Sequence, residues 1–312
     1  MDALSKIFDD IHLNHSEYIY LKAQNNWAFQ HQEHGAMVAY IMMHGQCVLH
    51  IADKQIMLES GDLLLVPSGL PHLCTASKNA VFQDAIDIHQ LFDEKHQKTI
   101  HLESEQHPKH EESLILAIRG RVDSIMAKPL FNALPHYLHI HHILSSTAPE
   151  WLQIGLQFLA VEANQIRPGR DKILDHLVSI LFIECVRDHI AQLSDSQNWL
   201  NALTHVELSS ALAAIHGQPE FAWTVESLAE QCCMSRSKFA NLFTQIIGET
   251  PLAYLQQHRL RLASQHLRHG DLSIQQIAHR VGYSSETAFS QSFKRSYEVT
   301  PSQYRQQYQR TA

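Results

Sequence analysis

The sequence has no apolar run of the roughly 18 residues that a membrane helix needs, and no charged-then-apolar leader. Neither a membrane span nor export is indicated. Cysteine is scarce: there are five, an odd number, and none are arranged as a CxxC pair. That count and spacing argue for a reduced, cytoplasmic protein in which the adjacent Cys232 and Cys233 are structural. Positive charge is also short, with 24 Lys and Arg against 32 Asp and Glu and a net charge of −8.

What cationic charge there is gathers at one end. From Ser235 onward there are 10 Lys and Arg against 4 Asp and Glu, a local excess of +6 in an acidic chain. Such a division keeps the acidic part off polyanions and gives the basic part salt-dependent phosphate contacts. The 312 residues are enough for two domains with separate cores.

The same C-terminal stretch contains one pattern written twice. LAEQCCMSRSKFANLFTQIIGETPLAYL is answered by IAHRVGYSSETAFSQSFKRSYEVTPSQY, so that Ala229 matches Ala278, Phe239 matches Phe289, Phe243 matches Phe293, Pro251 matches Pro301 and Tyr254 matches Tyr304. Each copy reads as helix, turn, helix. In the first, Val225, Leu228 and Ala229 share a face, Ser235 caps the next helix, and Phe239, Leu242, Phe243 and Ile246 form its buried stripe. The opposite face carries Arg236, Ser237, Lys238, Asn241 and Gln245. In the second, Ser273 and Gln276 make a capping box, Gly282 serves the turn, and Phe289, Phe293 and Tyr297 are buried. Its outer face offers Ser285, Glu286, Thr287, Gln291, Lys294 and Arg295. Polar and basic side chains of this kind meet base edges and phosphates, so double-stranded DNA is the expected partner. Between the copies, Leu252 to Arg268 reads as one helix closed by Gly270, and Thr250-Pro251 and Thr300-Pro301 start helices.

These residues carry a family resemblance. WTVESLAEQCCMSRSKFANLF, GETPLAYLQQHRLRLASQHL and SIQQIAHRVGYSSETAFSQSFKRSYEVTPSQYR resemble the DNA-binding domain of AraC/XylS transcription regulators over about residues 205 to 308. The resemblance puts base-contacting slots on Ser237, Ala240 and Asn241 and on Glu286, Thr287 and Gln291. Ala240 has no hydrogen-bonding group for a base, and Glu298 stands where the second copy of the family has Gly, implying a differently capped helix end.

The N-terminal half has a different period. Short apolar runs from Met37 to Ala76 alternate with turns and read as all-β. Gly61 to His72, GDLLLVPSGLPH, puts turn residues on both sides of one buried strand and resembles the second sequence motif of cupin barrels. The likeness extends more weakly through IRGRVD and FNALPHYLHI to about residue 142. A small barrel can hold one small molecule, so a small, mostly apolar organic effector is expected, with His72 in the pocket wall. His31, His34 and His44 lack the His-x-His spacing of a metal cupin, and His139, His141 and His142 lie beyond the expected core strands. No cofactor and no metal site is therefore expected, and no enzymatic activity. The 16 histidines before residue 143, of 24 in all, leave a metal or pH sensor open. The leading alternative is a metal or redox sensor on the same scaffold, and the other is a cupin enzyme fused to DNA-binding helices.

Residues 150 to 193 read as helical. Trp151, Ile154, Phe158 and Glu162 share one face, Arg167-Pro168-Gly169 breaks the run, and Leu174, Leu177, Val178, Leu181, Phe182, Cys185 and Val186 form a second stripe. That hairpin either packs on the barrel or joins two copies in a homodimer. The expected fold is multidomain α+β: a cupin-like sensor at 1–142, a helical hairpin and linker at 143–198 with the linker at Ser194–Asn198, and an all-α domain with two helix-turn-helix units at 199–312. Function follows as a sequence-specific transcription regulator, an activator working with RNA polymerase under effector control.

Overall fold

The computed structural model describes residues 2–11, 13–24, 27–32, 36–78, 85–93, 99–103, 112–141, 143, 150–155, 158, 168–193, 199–205 and 207–309. The chain packs as two units. One comprises His12–Ser124 and Leu134–Gln192, the other Met1–Ile11, Ile125–Ala133 and Leu193–Ala312.

The first unit is built on strands β1 (Asn14–Gln24), β2 (Ala28–His31), β3 (Ala36–His44), β4 (Gln46–Ile51), β5 (Lys54–Glu59), β6 (Leu63–Val66), β7 (His72–Thr75), β8 (Ile86–Asp87), β9 (Thr99–Glu103), β10 (Ser113–Arg121) and β11 (Leu138–Ile140). They form a six-stranded sheet in the order β11-β6-β3-β10-β1-β9 and a five-stranded sheet in the order β5-β4-β7-β2-β8. Phe29, Tyr40, Leu49, Leu64, Cys74 and Ile115 belong to the core of this unit. All four residues of β6 are buried, and its flanking Gly61 and Gly69 have φ of 91° and 63°, which lets the chain turn sharply at both ends. The strand expected between turn residues is therefore present.

Two strands carry what the sequence did not announce. β10, in the interior of the larger sheet, pairs antiparallel with β1 and carries Arg119, which is fully buried opposite Glu17. Its Nε donates to Glu17 Oε2 at 2.9 Å, its Nη1 meets His89, and its guanidinium lies 4.7 Å from the ring centroid of Phe92. The expectation that His139 lies beyond the core strands is corrected: β11 pairs antiparallel with β6 and closes one edge of the larger sheet.

The helix Arg170–Gln192 packs on β1 and β10 through Leu174, Val178, Phe182, Cys185 and Val186. Ser16 N–H donates to Asp175 Oδ1 at 2.7 Å. Of the two roles open to the second stripe, packing on the barrel is the one seen. Glu162, Arg167, His34, His142 and the linker Ser194–Asn198 lie outside the described residues.

The second unit is helical. Ala3–Ile11 (α1), Ser124–Ala133, Trp199–Thr204, Ser209–Gly217 (α2), Val225–Gln231 (α3), Arg236–Ile247 (α4), Pro251–His269 (α5), Ile274–Arg280 (α6), Glu286–Tyr297 (α7) and Pro301–Gln309 (α8) are its helices. Helix α1 buries Ala3, Ile7 and Ile11, one stripe at a spacing of four, and packs on α2, which buries Ala211, Leu212 and Ile215. Residues 1–11 and 125–133, expected with the barrel, thus group with the C-terminal helices.

Candidate nucleic-acid interface

Both copies of the repeat are built by the same local devices. Helix α3 opens with a capping box in which Thr224 Oγ1 accepts from Ser227 N at 3.0 Å and Ser227 Oγ accepts from Thr224 N at 2.9 Å. Helix α6 opens identically, Ser273 Oγ accepting from Gln276 N at 3.1 Å and Gln276 Oε1 from Ser273 N at 2.8 Å. The turns then close on equivalent bonds, Met234 N to Ala229 O at 3.0 Å and Tyr283 N to Ala278 O at 2.9 Å. Ser235 caps α4 and Ser285 caps α7, each accepting a backbone N–H three residues on. Phe239 and Phe243 are fully buried in the first copy, Phe289 and Phe293 in the second.

With those faces fixed inward, the opposite faces are fixed outward. Arg236, Ser237, Lys238, Asn241 and Gln245 on and beside α4 are exposed, as are Ser285, Glu286, Thr287, Gln291, Lys294 and Arg295 at α7. Ala240 is half-buried. Ser285 is spent partly as the N-cap, its Oγ accepting from Ala288 N at 3.2 Å. Lys238 Nζ contacts Glu207 Oε1 at 2.7 Å and holds that carboxyl below its usual range, an ion pair that no spacing pattern announces. Glu298 corrects an expectation: it caps α7 in the left-handed conformation at φ 64°, ψ −6°, as Gly248 caps α4 at φ 88°, ψ −6°. The helix end is capped in the same way, with strain in place of a glycine.

Helix α5 joins the copies. Thr250 caps it, Pro251 occupies its first turn, and its 19 residues span about 28 Å at 1.5 Å each. Tyr254, Leu260, Ala263 and Leu267 bury one side of it, and Arg259 donates to Pro219 O at 2.6 Å and Phe221 O at 2.7 Å. Two polar reading faces are thus carried by one helical scaffold.

In the barrel unit His72 is buried. Its Nδ1–H donates to Leu70 O at 2.6 Å, its Nε2 accepts from Tyr40 Oη at 2.7 Å, and its ring stacks on His31 at 5.1 Å. Burial lowers its pKa to about 4, leaving a neutral ring with both nitrogens engaged. Two cavities of this unit are lined by other residues. One, about 620 Å³, is lined by Ile118, Trp151, Ile154, Phe158, Leu177 and Ile180 among others; the second, about 690 Å³, includes His136, His139 and His189. His139 Nε2 and His141 Nδ1 also reach the buried carboxylate of Asp62, at 2.9 Å and 3.3 Å.

Paired helix-turn-helix units in one chain with a small β-barrel define a DNA-binding regulator with a second, cupin-like unit. The family described as Cupin matches residues 2–191, and the one described as Helix-turn-helix domain matches residues 228–307. The chain belongs to the AraC family of helix-turn-helix transcriptional regulators. It is 56% identical to the HTH-type transcriptional regulator AlkR of Acinetobacter baylyi, over 98% of this chain and all of that one. It is 36% identical to the RCS-specific HTH-type transcriptional activator RclR of Escherichia coli, over 60% of this chain and 66% of that one. Among solved structures, the DNA-binding domain of AdpA in complex with a target DNA covers 34% of this chain and is itself 95% covered, at 31% identity and a TM-score of 0.32. The relatives are named as regulators, and among the described residues no helix is long and apolar enough to cross a membrane.

Proposed function

We propose that this regulator acts in the cytoplasm as an activator that contacts RNA polymerase, reads two unlike half-sites through α4 and α7, and is governed by a small, mostly apolar organic effector. The observation that carries the DNA reading is the pair of exposed polar faces on α4 and α7, two helices that both pack against the same 19-residue helix α5. Arg236, Lys238, Lys294 and Arg295 hold phosphates, while Ser237, Asn241, Glu286, Thr287 and Gln291 face bases. The half-sites then lie about 10 base pairs apart on one face of the duplex, with no palindrome required. Inserting about half a turn, roughly 5 base pairs, between them should reduce specific affinity to the level of random DNA in a gel-shift titration. Undiminished binding would refute the geometry. The activator reading is supported by the relative named as one.

Both ring nitrogens of His72 are already engaged, which favours the apolar cavity beside Trp151 and Ile180 as the effector site. An Ile180→Asp chain should lose binding of an apolar naphthalene fluorophore while its oligomeric state stays unchanged. If instead the fluorophore still binds and a dimer dissociates, that face joins two copies.

A further inference from the structure

The helices of the C-terminal unit bring together three metal-ligating side chains that the sequence keeps far apart. Asp10 lies in the last turn of α1, His216 near the end of α2 and His258 in the middle of α5. Asp10 Oδ2 is 3.0 Å from His216 Nδ1 and 3.9 Å from His258 Nε2, and the two imidazole centroids are 4.1 Å apart. One ligand atom from each residue falls within 4.8 Å of the others. Three ligands at about 2.0–2.1 Å around one tetrahedral ion would stand roughly 3.3 Å from one another. The observed spacing brackets that value.

The cluster is not explained by hydrogen bonding alone. His258 is 1% exposed, and its Nε2 is buried with no hydrogen-bond partner. An orphaned buried nitrogen of that kind is costly, so it points to something that takes its lone pair. It lines a void of about 10 Å³ together with Asp10, His216, Trp199 and Arg261, and a void of that size holds one atom. The outer shell is present as well: His216 Nε2 meets Tyr254 Oη at 2.8 Å, and Tyr254 Oη accepts from Trp199 Nε1 at 3.3 Å. A ligating histidine whose other nitrogen is held this way has its ring orientation fixed. Arg261, which lines the void, and Arg259 are the opposing charges near the site, and the carboxylate of Asp10 acts against them.

We propose that Asp10, His216 and His258 form a site for one first-row divalent cation, with zinc the best match to two imidazoles and a carboxylate. The ion fastens α1 to the helix that joins both DNA readers, and a water completes its shell. This revises the expectation of a metal-free chain and stands apart from the effector cavity of the barrel.

The test uses the full-length chain, stripped of metal, loaded with zinc chloride and desalted. Wild type should retain one equivalent that is lost in His258→Gln and Asp10→Asn and kept in a His139→Gln, His141→Gln double variant. Retention in His258→Gln, loss in the barrel double variant, or no retention by wild type would overturn the proposal. Should either ligand variant unfold, the wild-type chain decides: zinc should slow amide exchange in Ala3–Ile11 at least tenfold. Unchanged exchange there overturns it.

Discussion

The two helix-turn-helix copies differ most where the backbone must turn left-handed. Each copy has two such positions, one in the turn and one after the second helix. The first copy puts Cys233 at φ 53° in its turn and Gly248 at φ 88° after its helix; the second puts Gly282 at φ 83° in its turn and Glu298 at φ 64° after its helix. Glycine and side chain have changed places between the copies. The surroundings explain half of the exchange. A Cβ on Gly282 would lie 2.7 Å from Arg259 Nη2 and 2.8 Å from Glu220 O, whereas one on Gly248 meets nothing within 4 Å. In the second copy the turn is crowded by the chain entering the first copy, so only glycine fits there. The cap positions are open, and either residue is tolerated at a cost in strain. Backbone geometry, rather than residue identity, is what the repeat preserves.

That comparison can be broken at its base by Phe239→Ala and Phe289→Ala. Both rings are fully buried, so each change should cost about 3–5 kcal/mol in urea unfolding of the C-terminal unit. Values differing by more than about 1 kcal/mol would show the cores to be inequivalent. Next in size, Gly282→Ala should cost at least about 2 kcal/mol and Gly248→Ala only about 1, because the first adds a clash to the same backbone strain. Equal losses would remove the crowding argument. For DNA, Gln291→Ala should cost about 1–3 kcal/mol on the preferred site alone, while Arg295→Ala weakens every sequence and flattens the salt slope by about one unit. Equal loss on specific and random duplexes for both variants would end the division between reading and positioning. Cys233→Gly and Glu298→Gly should each stabilise the unit by about 0.5–1 kcal/mol, read as a rise in melting temperature. Smallest of all, Glu207→Gln frees Lys238 and should steepen the salt dependence of binding by up to about one unit. No change would mean that Lys238 leaves Glu207 for phosphate without cost.

Local devices were legible in the sequence and distant ones were not. Ser235, the Ser273–Gln276 box, Thr250-Pro251 and the Gly270 stop could be read because capping residue and capped amide lie within four positions. The buried phenylalanines and the exposed residues of α4 and α7 followed from helical period, and Gly61 and Gly69 marked the ends of a buried strand. By contrast Arg119 and Glu17 are 102 residues apart, and Asp62 and His139 are 77 apart, so no spacing pattern links them. His72 was visible as a residue in a motif but not as one whose two nitrogens are satisfied by Leu70 and Tyr40. Helix α1 has a clear apolar stripe, yet nothing in that stripe names α2 as its partner. The same distance hid Asp10 from His216 and His258.

The attachment of α1 to the C-terminal helices bears on how the chain is made. Asp10 leaves the ribosome 206 residues ahead of His216, the residue it bonds. At about 5–20 residues per second, Ile7 and Ile11 wait roughly 10–40 seconds for the surface that covers them. During that interval the barrel sequence emerges and can pair its strands, while Ala3–Ile11 stays an apolar segment without the surface that later covers it. A ribosome-associated chaperone should therefore hold this chain at Ala3–Ile11 until α2 has been synthesised.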